Sequence, residues 1–449
     1  MVKTAPQPSD NPKQFKRLNI MAEARYVEIK STTTTPKPVR KRAEVKIKRA
    51  ALVGEIVEVS WKSGIDVARE RKTVVGPHWK KGEDVKEEDD PGHQKYFGGS
   101  TRPGYYLVKN KAGHAILVVK IEIKKSHDQE ATGILTGLLG TLKFEGKCPT
   151  TVGVHFVGLV ISNLPNTLAH YEGDASWSLS TSKISVPLSN ITRLELFIGL
   201  DRPASFYKEG VWVEALRFLF KKMKASGEND VSRVAQFVTQ YCHSKHGMRY
   251  EAMSGAGKFG VESMGGFFYL MKYINWPNYP SNKNNVYGDT INNVVNCYDQ
   301  AAAVQSLCGA IGVKVVWVFY NPFGYIKTAN IVGVGNSNSP FFMSKGAKAK
   351  PIVENSGMDR TAFHNHAFLQ VGDWTGNILD ACAGPHIGNE SMRQYLYNSI
   401  DADICLAAPA FGGLIGALTQ IAPRSGAHYC ELLMKRMAMW KPDGIEEVK

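Results

Sequence analysis

Short runs of alternating apolar and polar residues fill the chain from about residue 45 to residue 203. Turn-forming sequences such as Gly-Gly, Pro-Gly and Asn-Leu-Pro-Asn separate these runs. Several short strands at this spacing predict an antiparallel sandwich or barrel. The predicted strands are Val53–Val59, Gly104–Val108, Ala115–Ile123, Val152–Ser162, Trp177–Leu179 and Leu194–Ile198. We interpret residues 45–203 as a β-rich domain that serves as a binding or delivery module.

The pattern changes from strand-like to helical after Pro203. Apolar residues within Val211–Met223 follow helical spacing and predict a helix with a broad apolar face. Asn229 and Asp230 are both suitable N-caps for a second helix, which Gly247 should end. The chain beyond Pro203 therefore predicts mixed helices and strands.

The segment from Asn296 to Gly312 predicts a complete helix. Asn296 is a good N-cap, and Gly309 and Gly312 provide the exit. Cys297 then lies in the first turn, where free backbone N–H groups and the helix dipole favour a thiolate, the nucleophilic form. The predicted buried stripe consists of Ala301, Val304, Leu307, Cys308 and Ile311, which makes Cys308 an inert thiol. A strand follows over Val313–Tyr320.

A histidine and an aspartate lie on a hairpin predicted further along the chain. Residues 365–371 alternate as a strand, residues 372–377 supply a turn, and residues 378–380 begin the return strand. If the turn is centred on Asp373, His366 lies opposite Asp380. An acid beside an imidazole fixes its tautomer and stabilises the imidazolium, as the base partner of a thiol requires.

These segments together resemble the transglutaminase-like superfamily. The resemblance rests on the cysteine at the head of an Ala-rich helix, the strand His-Ala-Phe-Leu-Gln-Val and the following Ile-Leu-Asp, and it covers roughly residues 205–390. It implies a papain-like α+β fold with Cys297, His366 and Asp380 as a catalytic triad. The sequence after Asp380, Ala-Cys-Ala-Gly, departs from the Pro or Thr that is commoner in the family. Residues 204–449 are thus predicted to be a transglutaminase-like catalytic domain with a C-terminal extension.

The resemblance implies acyl transfer on an amide bond through a thioester on Cys297. Hydrolysis by a protease, amidase or deamidase is the favoured outcome, and the substrate would be a protein or peptide amide, peptidoglycan peptides included. Cross-linking by a protein-glutamine transglutaminase is one alternative. A non-catalytic binding or scaffold protein with a degenerate domain is another. No cofactor is expected, because the acidic stretch Glu83–Asp90 lacks the glycine and the spacing of a calcium loop.

Two details of the predicted site stay open at this stage. The oxyanion hole should combine the Cys297 backbone N–H with one donor from Trp276, Tyr287 or Asn293. A metal site competes with the triad, since His364, His366, Cys382 and His386 could share one face. That interpretation leaves the cysteine at the helix start unexplained. The seven cysteines contain no CxxC pair and predict no disulfide framework.

The positive charge of the protein is concentrated at its N-terminus. Residues 1–50 hold 13 basic and 4 acidic side chains, which gives +9 of the total net charge of +14. We predict a flexible basic arm over residues 1–44 that could bind an anionic partner.

No signal peptide is expected, which favours a cytoplasmic protein or an effector exported without a cleaved signal. The uncharged segment Ile404–Ala422 contains Pro409 and several glycines, so we predict a loop and a short buried helix there, not a membrane span.

Deletion of residues 1–44 should separate the basic arm from the rest of the protein. The thermal midpoint and the turnover of a small soluble substrate should barely change, because the first predicted strand is retained. Binding to an anionic partner should weaken, and its salt dependence should fall, since charges are screened over about 8 Å at physiological ionic strength. An unfolded truncated protein would show that these residues belong to the packed structure.

Overall fold

The computed structural model of this chain describes part of the sequence, all of it within one unit, Ala50–Lys449. The described residues are 52–61, 65–69, 72–83, 105–108, 116–126, 130–251, 257–262, 264–276, 293–321, 324–327, 331–333, 360–363, 366–372, 376–401, 438–440 and 444–449. The predicted basic arm and the segment Ile404–Ala422 lie outside them.

The alternating part of the sequence forms a curled, mostly antiparallel sheet. Its ten strands follow the order β4-β1-β6-β9-β8-β7-β10-β12-β5, with β11 paired to β10, and only the β12–β5 pairing is parallel. The first twelve strands of the chain are β1 (Val53–Trp61), β2 (Val67–Arg69), β3 (Lys72–Thr73), β4 (Trp79–Lys80), β5 (Tyr105–Val108), β6 (Ile116–Lys125), β7 (Thr132–Leu139), β8 (Leu142–Pro149), β9 (Gly153–Ile161), β10 (Ala169–Ser180), β11 (Ser185–Pro187) and β12 (Thr192–Gly199).

The curl of this sheet encloses a hydrophobic core. β8 and β9 pair only at Phe144↔Ile161 and Glu145↔Val160, so the sheet turns a corner there. Side chains that alternate along the strands point inward on both sides of the corner and are removed from water. They include Ile56, Val59, Leu117, Val119, Ile121, Leu135, Phe144, Leu159, Trp177 and Leu196.

The remaining described chain combines helices with small sheets. The helices are α1 (Val213–Arg217), which continues as a π-helical turn (Phe218–Lys222), α2 (Val231–Ser244), α3 (Leu270–Ile274), α4 (Cys297–Ala310) and α5 (Met392–Ser399). The strands are β13 (Val211–Trp212), β14 (Arg249–Tyr250), β15 (Gly265–Phe268), β16 (Val294–Val295), β17 (Val315–Asn321), β18 (Gly324–Lys327), β19 (Arg360–Phe363), β20 (His366–Val371), β21 (Ile378–Asp380), β22 (His386–Ile387), β23 (Ile400–Asp401), β24 (Ala438–Trp440) and β25 (Gly444–Val448).

A five-stranded sheet and helix α4 form the centre of the second hydrophobic core. The sheet has the order β22-β21-β20-β17-β24, and α4 packs against its strands β20 and β17. Every residue of α4 except Tyr298 is buried, including the polar ones. The sequence predicted a single buried stripe on this helix. The structure instead surrounds the helix with chain on nearly every side, so its polar side chains need partners inside the protein.

Two predicted helix boundaries change in the structure. Val211 and Trp212 form strand β13, parallel to β2, and the helix begins only at Val213. Gly309 was predicted to end the helix that starts at Cys297, but it lies inside this helix. The Phe206 ring packs closely there, so a Cβ on residue 309 would lie 2.5 Å from the ring. Gly312 provides the exit, with a φ of +74° in the left-handed region.

A buried group of charges stabilises the contact between β12 and α1. The Glu195 carboxylate, fully buried, accepts hydrogen bonds from Arg217 Nη2 at 2.7 Å and from Arg217 Nε at 3.1 Å. His170 Nε2 lies 3.0 Å from the same carboxylate. Burial raises the pKa of Glu195, but the hydrogen bond to His170 and the charge of Arg217 outweigh it and lower the pKa to about 2.

The fold agrees with the sequence at the level of a β-rich mixed fold. Five of the six predicted strands of the front part are present with shifts of one or two residues at their ends. The sixth, Trp177–Leu179, lies inside the much longer β10, which begins at Ala169. Asp230 caps α2 as one of the two proposed N-caps. The papain-like arrangement and the domain boundary at residue 203 stay predictions. In the part of the chain that the structure describes, none of the helices has both the length and the apolar character needed to cross a membrane.

Replacing Arg217 with Met should destabilise the protein by about 3 kcal/mol, because Glu195 would lose its main counter-charge inside the core. The pKa of Glu195 lies below its unfolded value in the native protein, so its contribution to stability is present above about pH 4.5 and is lost as the pH falls through about 2. Without Arg217 the carboxyl would take up a proton more readily, so the loss of unfolding free energy should be smaller at pH 5 than at pH 8.

Urea unfolding at the two pH values measures this difference. The double variant Arg217→Met with Glu195→Gln is the matched control, since it removes both charges and should recover part of the lost stability. Equal destabilisation at both pH values, or a double variant no more stable than the single one, would contradict the assignment.

Candidate active site

Cys297 is the first residue of α4, and a capping box fixes the start of that helix. The Asn296 side chain accepts a hydrogen bond from the Asp299 backbone N–H at 3.0 Å, and the Asp299 side chain accepts one from the Asn296 N–H at 3.1 Å. Asn296 is therefore the N-cap, as the sequence predicted. Because Cys297 is the first helical residue, its own N–H has no partner within the helix.

The Asp299 carboxylate also joins the helix start to another segment. It accepts hydrogen bonds from the backbone N–H groups of Lys258 at 2.9 Å and Phe259 at 3.0 Å. Burial raises the pKa of Asp299 to about 6, although these backbone donors and the Asn296 N–H act in the opposite direction. Asp299 was not predicted from the sequence, although its Asn-x-x-Asp spacing from Asn296 was an available signal.

Gln300 connects three further segments one residue later. Its Oε1 accepts a hydrogen bond from the Tyr273 hydroxyl at 2.7 Å. Its Nε2 donates to the Cys242 carbonyl at 3.2 Å and to the Ala381 carbonyl at 3.1 Å. Since Ala381 directly follows Asp380, this side chain fixes the loop after β21 against the helix that carries Cys297.

His366 and Asp380 lie on neighbouring strands, but their register differs from the predicted one. β20 and β21 pair Leu369 with Leu379 and Gln370 with Ile378, which places Asp380 opposite Phe368 and not opposite His366. The physical reason is a longer connection, since the Val371 N–H bonds the Asn377 carbonyl at 2.9 Å. A shift of two residues keeps the side chain on the same face, so Asp380 still reaches His366 diagonally.

The two side chains form a buried, directly hydrogen-bonded pair. His366 Nε2 lies 2.7 Å from Asp380 Oδ2, and only 3% of His366 and 2% of Asp380 are exposed. The second carboxylate oxygen, Oδ1, accepts hydrogen bonds from the backbone N–H groups of Cys382 at 2.8 Å and Ala383 at 3.0 Å. Burial raises the pKa of Asp380, but the charge and hydrogen bond of His366, together with the hydrogen bond from the Ala383 N–H, outweigh it and hold this pKa well below its usual range.

The structure brings Cys297 to the same imidazole. Burial lowers the pKa of His366, but the charge and hydrogen bond of Asp380, followed by a hydrogen bond to the Cys297 thiol, outweigh it and raise the pKa to about 10. Asp380 occupies Nε2, so the contact with the thiol uses the other ring nitrogen, Nδ1. The three residues predicted from the sequence are therefore adjacent in the order thiol, imidazole and carboxylate.

The predicted donors for an oxyanion hole have other partners or lie outside the described residues. Trp276 Nε1 donates to the His246 carbonyl at 3.0 Å, and Asn293 Nδ2 donates to the Gly247 carbonyl at 2.8 Å. Tyr287 lies outside the described residues. The candidate that the geometry favours is the Cys297 N–H, by its position at the helix start.

The alternative metal site does not assemble among the described residues. His366 faces Asp380, while His386 belongs to strand β22, where a loop was predicted, and its Nδ1 lies 2.8 Å from Glu390 Oε1. Cys382 is buried, and burial raises the pKa of its thiol well above its usual value. His364 lies outside the described residues.

Another cluster, which the sequence did not indicate, brings three potential metal ligands together in the described part of the chain. It consists of His170, Glu172 and Glu195. Arg217 bonds the Glu195 carboxylate, and Lys221 Nζ lies 2.6 Å from Glu172 Oε2. These two cations occupy the carboxylates, so the cluster is an ion-pair network.

Tyr395 is a residue of the site that was not predicted from the sequence. Its hydroxyl donates to Asp380 Oδ2 at 3.0 Å from the first turn of α5. The resemblance on which the site was predicted ends near residue 390. The Ser-x-x-Gln spacing of Ser391 and Gln394 signals a helix start there, though nothing in the spacing indicates contact with Asp380.

Comparison with known proteins gives a distant structural likeness. No protein-family model matches the chain, and no curated protein matches it. Among solved structures, red sea bream transglutaminase is similar, with a TM-score of 0.33 and 10% sequence identity. The match covers 62% of this chain and 49% of that one, so it spans about half the length of the transglutaminase.

Replacing Asp380 with Asn should lower the pKa of His366 by more than about one unit. The variant loses the carboxylate charge that raises this pKa, while the burial that lowers it remains. In the native protein the raised pKa means that His366 contributes stability below about pH 6.5 that is lost as the pH rises through about 10. This contribution should shrink in the variant.

Nitrogen-15 NMR of the histidine side chains from acidic to strongly basic pH measures the titration directly. Glu390→Gln is the control, because it removes the carboxylate beside His386 and leaves that of Asp380 in place. An unchanged His366 titration in Asp380→Asn would show that Asp380 does not govern the imidazole.

Proposed function

We propose that this protein is a cysteine-dependent acyl-transfer enzyme that acts on amide bonds. In this proposal Cys297 is the nucleophile, His366 is the general base and acid, and Asp380 orients the imidazole. The observation that supports it is the placement of one buried imidazole between the thiol at a helix start and a fully hydrogen-bonded carboxylate. A nucleophile, a base and an orienting group in this order are the elements that nucleophilic catalysis requires.

The reaction follows from these positions. His366 Nδ1 takes the proton of the Cys297 thiol, and the thiolate attacks the amide carbonyl carbon. The C–N bond then breaks, His366 returns the proton to the leaving nitrogen, and the acyl group remains on sulfur as a thioester. Water, deprotonated by His366, attacks the thioester and releases a carboxylic acid and the free thiol. Asp380 remains ionised throughout and stabilises the imidazolium.

The papain-like α+β arrangement is part of this proposal. A buried helix carries the thiol at its N-terminus and packs on an antiparallel sheet whose neighbouring strands carry the imidazole and the carboxylate. The sequence resemblance over residues 205–390 supports the same arrangement. The substrate class that it suggests is a protein or peptide amide, peptidoglycan peptides included, and hydrolysis is the favoured outcome.

The identity of the acceptor separates hydrolysis from cross-linking. Mass spectrometry of candidate protein and peptidoglycan substrates, incubated in ¹⁸O-labelled water with a primary amine added, distinguishes the two products. Incorporation of ¹⁸O into a new carboxyl group supports a hydrolase. A new amide with the added amine would instead support a transglutaminase.

Replacing Cys297 with Ala should abolish activity with little effect on folding. Loss of the nucleophile should lower the rate by about 10³-fold or more, since its assisted attack is lost with it. Cys308→Ala is the matched control on the same helix. That thiol is fully buried and distant from the helix start, so its removal should lower stability by about 1–2 kcal/mol through a small cavity and leave the rate unchanged. Turnover by Cys297→Ala near the native rate would overturn the proposal.

Selective alkylation tests the nucleophile without a known substrate. Iodoacetamide should label Cys297 faster than the other cysteines, and the rate should depend on pH as the thiolate forms. Replacing His366 with Ala should remove this selectivity. Uniform slow labelling of the native protein would favour the non-catalytic binding or scaffold protein.

A further inference from the structure

We propose that Tyr395 is a positioning residue of this site, which acts through Asp380 and limits how strongly that carboxylate holds the His366 imidazolium. The inference rests on the proposed function, in which His366 must give up its proton to the leaving nitrogen. It adds a fourth residue to the predicted three, from a helix beyond the segment that carries the resemblance.

The hydrogen bonds to Asp380 identify Tyr395 as the group that shares an oxygen with His366. Oδ1 is occupied by the backbone N–H groups of Cys382 and Ala383. Oδ2 accepts from His366 Nε2 at 2.7 Å and from the Tyr395 hydroxyl at 3.0 Å. A change at the hydroxyl therefore acts on the same oxygen that binds the imidazole.

The Tyr395 ring is held in place independently of this hydrogen bond. A capping box starts α5, since the Gln394 N–H bonds the Ser391 hydroxyl and Gln394 Oε1 accepts from the Ser391 N–H at 2.8 Å. The ring lies 4.9 Å from Phe368 and 4.7 Å from His386, measured between ring centroids. Tyr395 has no exposed surface, so it acts on a reaction at Cys297 through Asp380 and not by contact with a substrate.

The hydroxyl stays protonated and therefore stays a donor. Burial, followed by the charge of Asp380, raises the pKa of Tyr395 well above its usual value. The other titratable groups that act on Asp380, Tyr395 or His366 come from the surrounding elements. They are Cys297 on α4, Cys382 after β21, His386 on β22 and Glu390 before α5. All of these are unchanged when only the Tyr395 hydroxyl is removed.

The consequence for His366 follows from the charge on Oδ2. A donor at this oxygen disperses part of the carboxylate charge, which weakens its attraction for the imidazolium. Without the hydroxyl, Asp380 should stabilise the imidazolium more strongly, and His366 should become a weaker acid. Protonation of the leaving nitrogen would then be slower, although the thiol and the imidazole stay in place.

The test measures the titration of His366 in full-length protein that carries Cys297→Ala. This background removes the thiol that contacts the imidazole, so the titration reports on His366 with Asp380 and Tyr395. Nitrogen-15 NMR of the histidine side chains is recorded with Tyr395 and with Tyr395→Phe. The midpoint should rise by about half a pH unit in Tyr395→Phe, since a hydrogen bond to the charged carboxylate is lost. An unchanged or lower midpoint overturns the inference.

Tyr207→Phe is the matched control for loss of a buried phenol. The Tyr207 hydroxyl donates to the Ser306 carbonyl at 2.8 Å, on the same helix as Cys297 but away from Asp380. A merely structural role of Tyr395 predicts that both variants lower the thermal midpoint and leave the His366 titration unchanged. A shift confined to Tyr395→Phe supports the positioning role.

A second variant keeps the test decisive if Tyr395→Phe does not fold. Incorporation of 3-fluorotyrosine at position 395 retains the ring and makes the hydroxyl a stronger donor, so the His366 midpoint should fall. A rise or no change would overturn the inference.

The proposed function is judged separately by iodoacetamide labelling of Cys297 in the protein that retains it. Selective labelling together with an unmoved His366 titration would reject the role of Tyr395 alone, whereas absence of selective labelling would reject the proposed function.

Discussion

The buried pair of His366 and Asp380 is the interaction on which the arrangement of the site depends. Transfer of two charges from water into the protein costs several kcal/mol for each, and their attraction compensates only when the remaining hydrogen-bonding positions are also filled. Here the carboxylate accepts hydrogen bonds from His366, Tyr395 and the N–H groups of Cys382 and Ala383. The strand β20, the loop after β21 and helix α5 must therefore meet at one point.

The buried polar side chains of helix α4 also need hydrogen-bond partners inside the protein. Because the helix is buried on nearly all sides, its polar residues bind neighbouring segments in place of water. Asp299 holds the backbone at residues 258–259, Gln300 holds the end of α2 and the loop after β21, and Gln305 accepts from the Ile445 N–H of β25 at 3.0 Å. These bonds fix the helix start, and with it the thiol, relative to the imidazole.

The sequence predicts the features of the site that depend on local chemistry. Asn296 as N-cap follows from the preference of asparagine for that position, and the common face of His366 and Asp380 follows from the alternation of strands. The register of the hairpin could not be derived, because it depends on the length of a connection that no local rule fixes. Gln300 and Tyr395 were missed for a related reason. The three partners of Gln300 are 27, 58 and 81 residues away, and the partner of Tyr395 is 15 residues away, so only the tertiary fold brings them together.

The cost of leaving His366 or Asp380 as an unpaired buried charge determines which substitutions affect the reaction without also affecting stability. Removal of either His366 or Asp380 leaves its partner as a buried, uncompensated charge, which costs about 3–5 kcal/mol in comparable cases. A loss of activity in such a variant therefore combines a chemical effect with a folding effect. Cys297 and the Tyr395 hydroxyl differ, because each can be removed without leaving a buried charge unpaired. The two ends of the hydrogen-bonded chain, thiol and phenol, are thus the positions where function can be separated from stability.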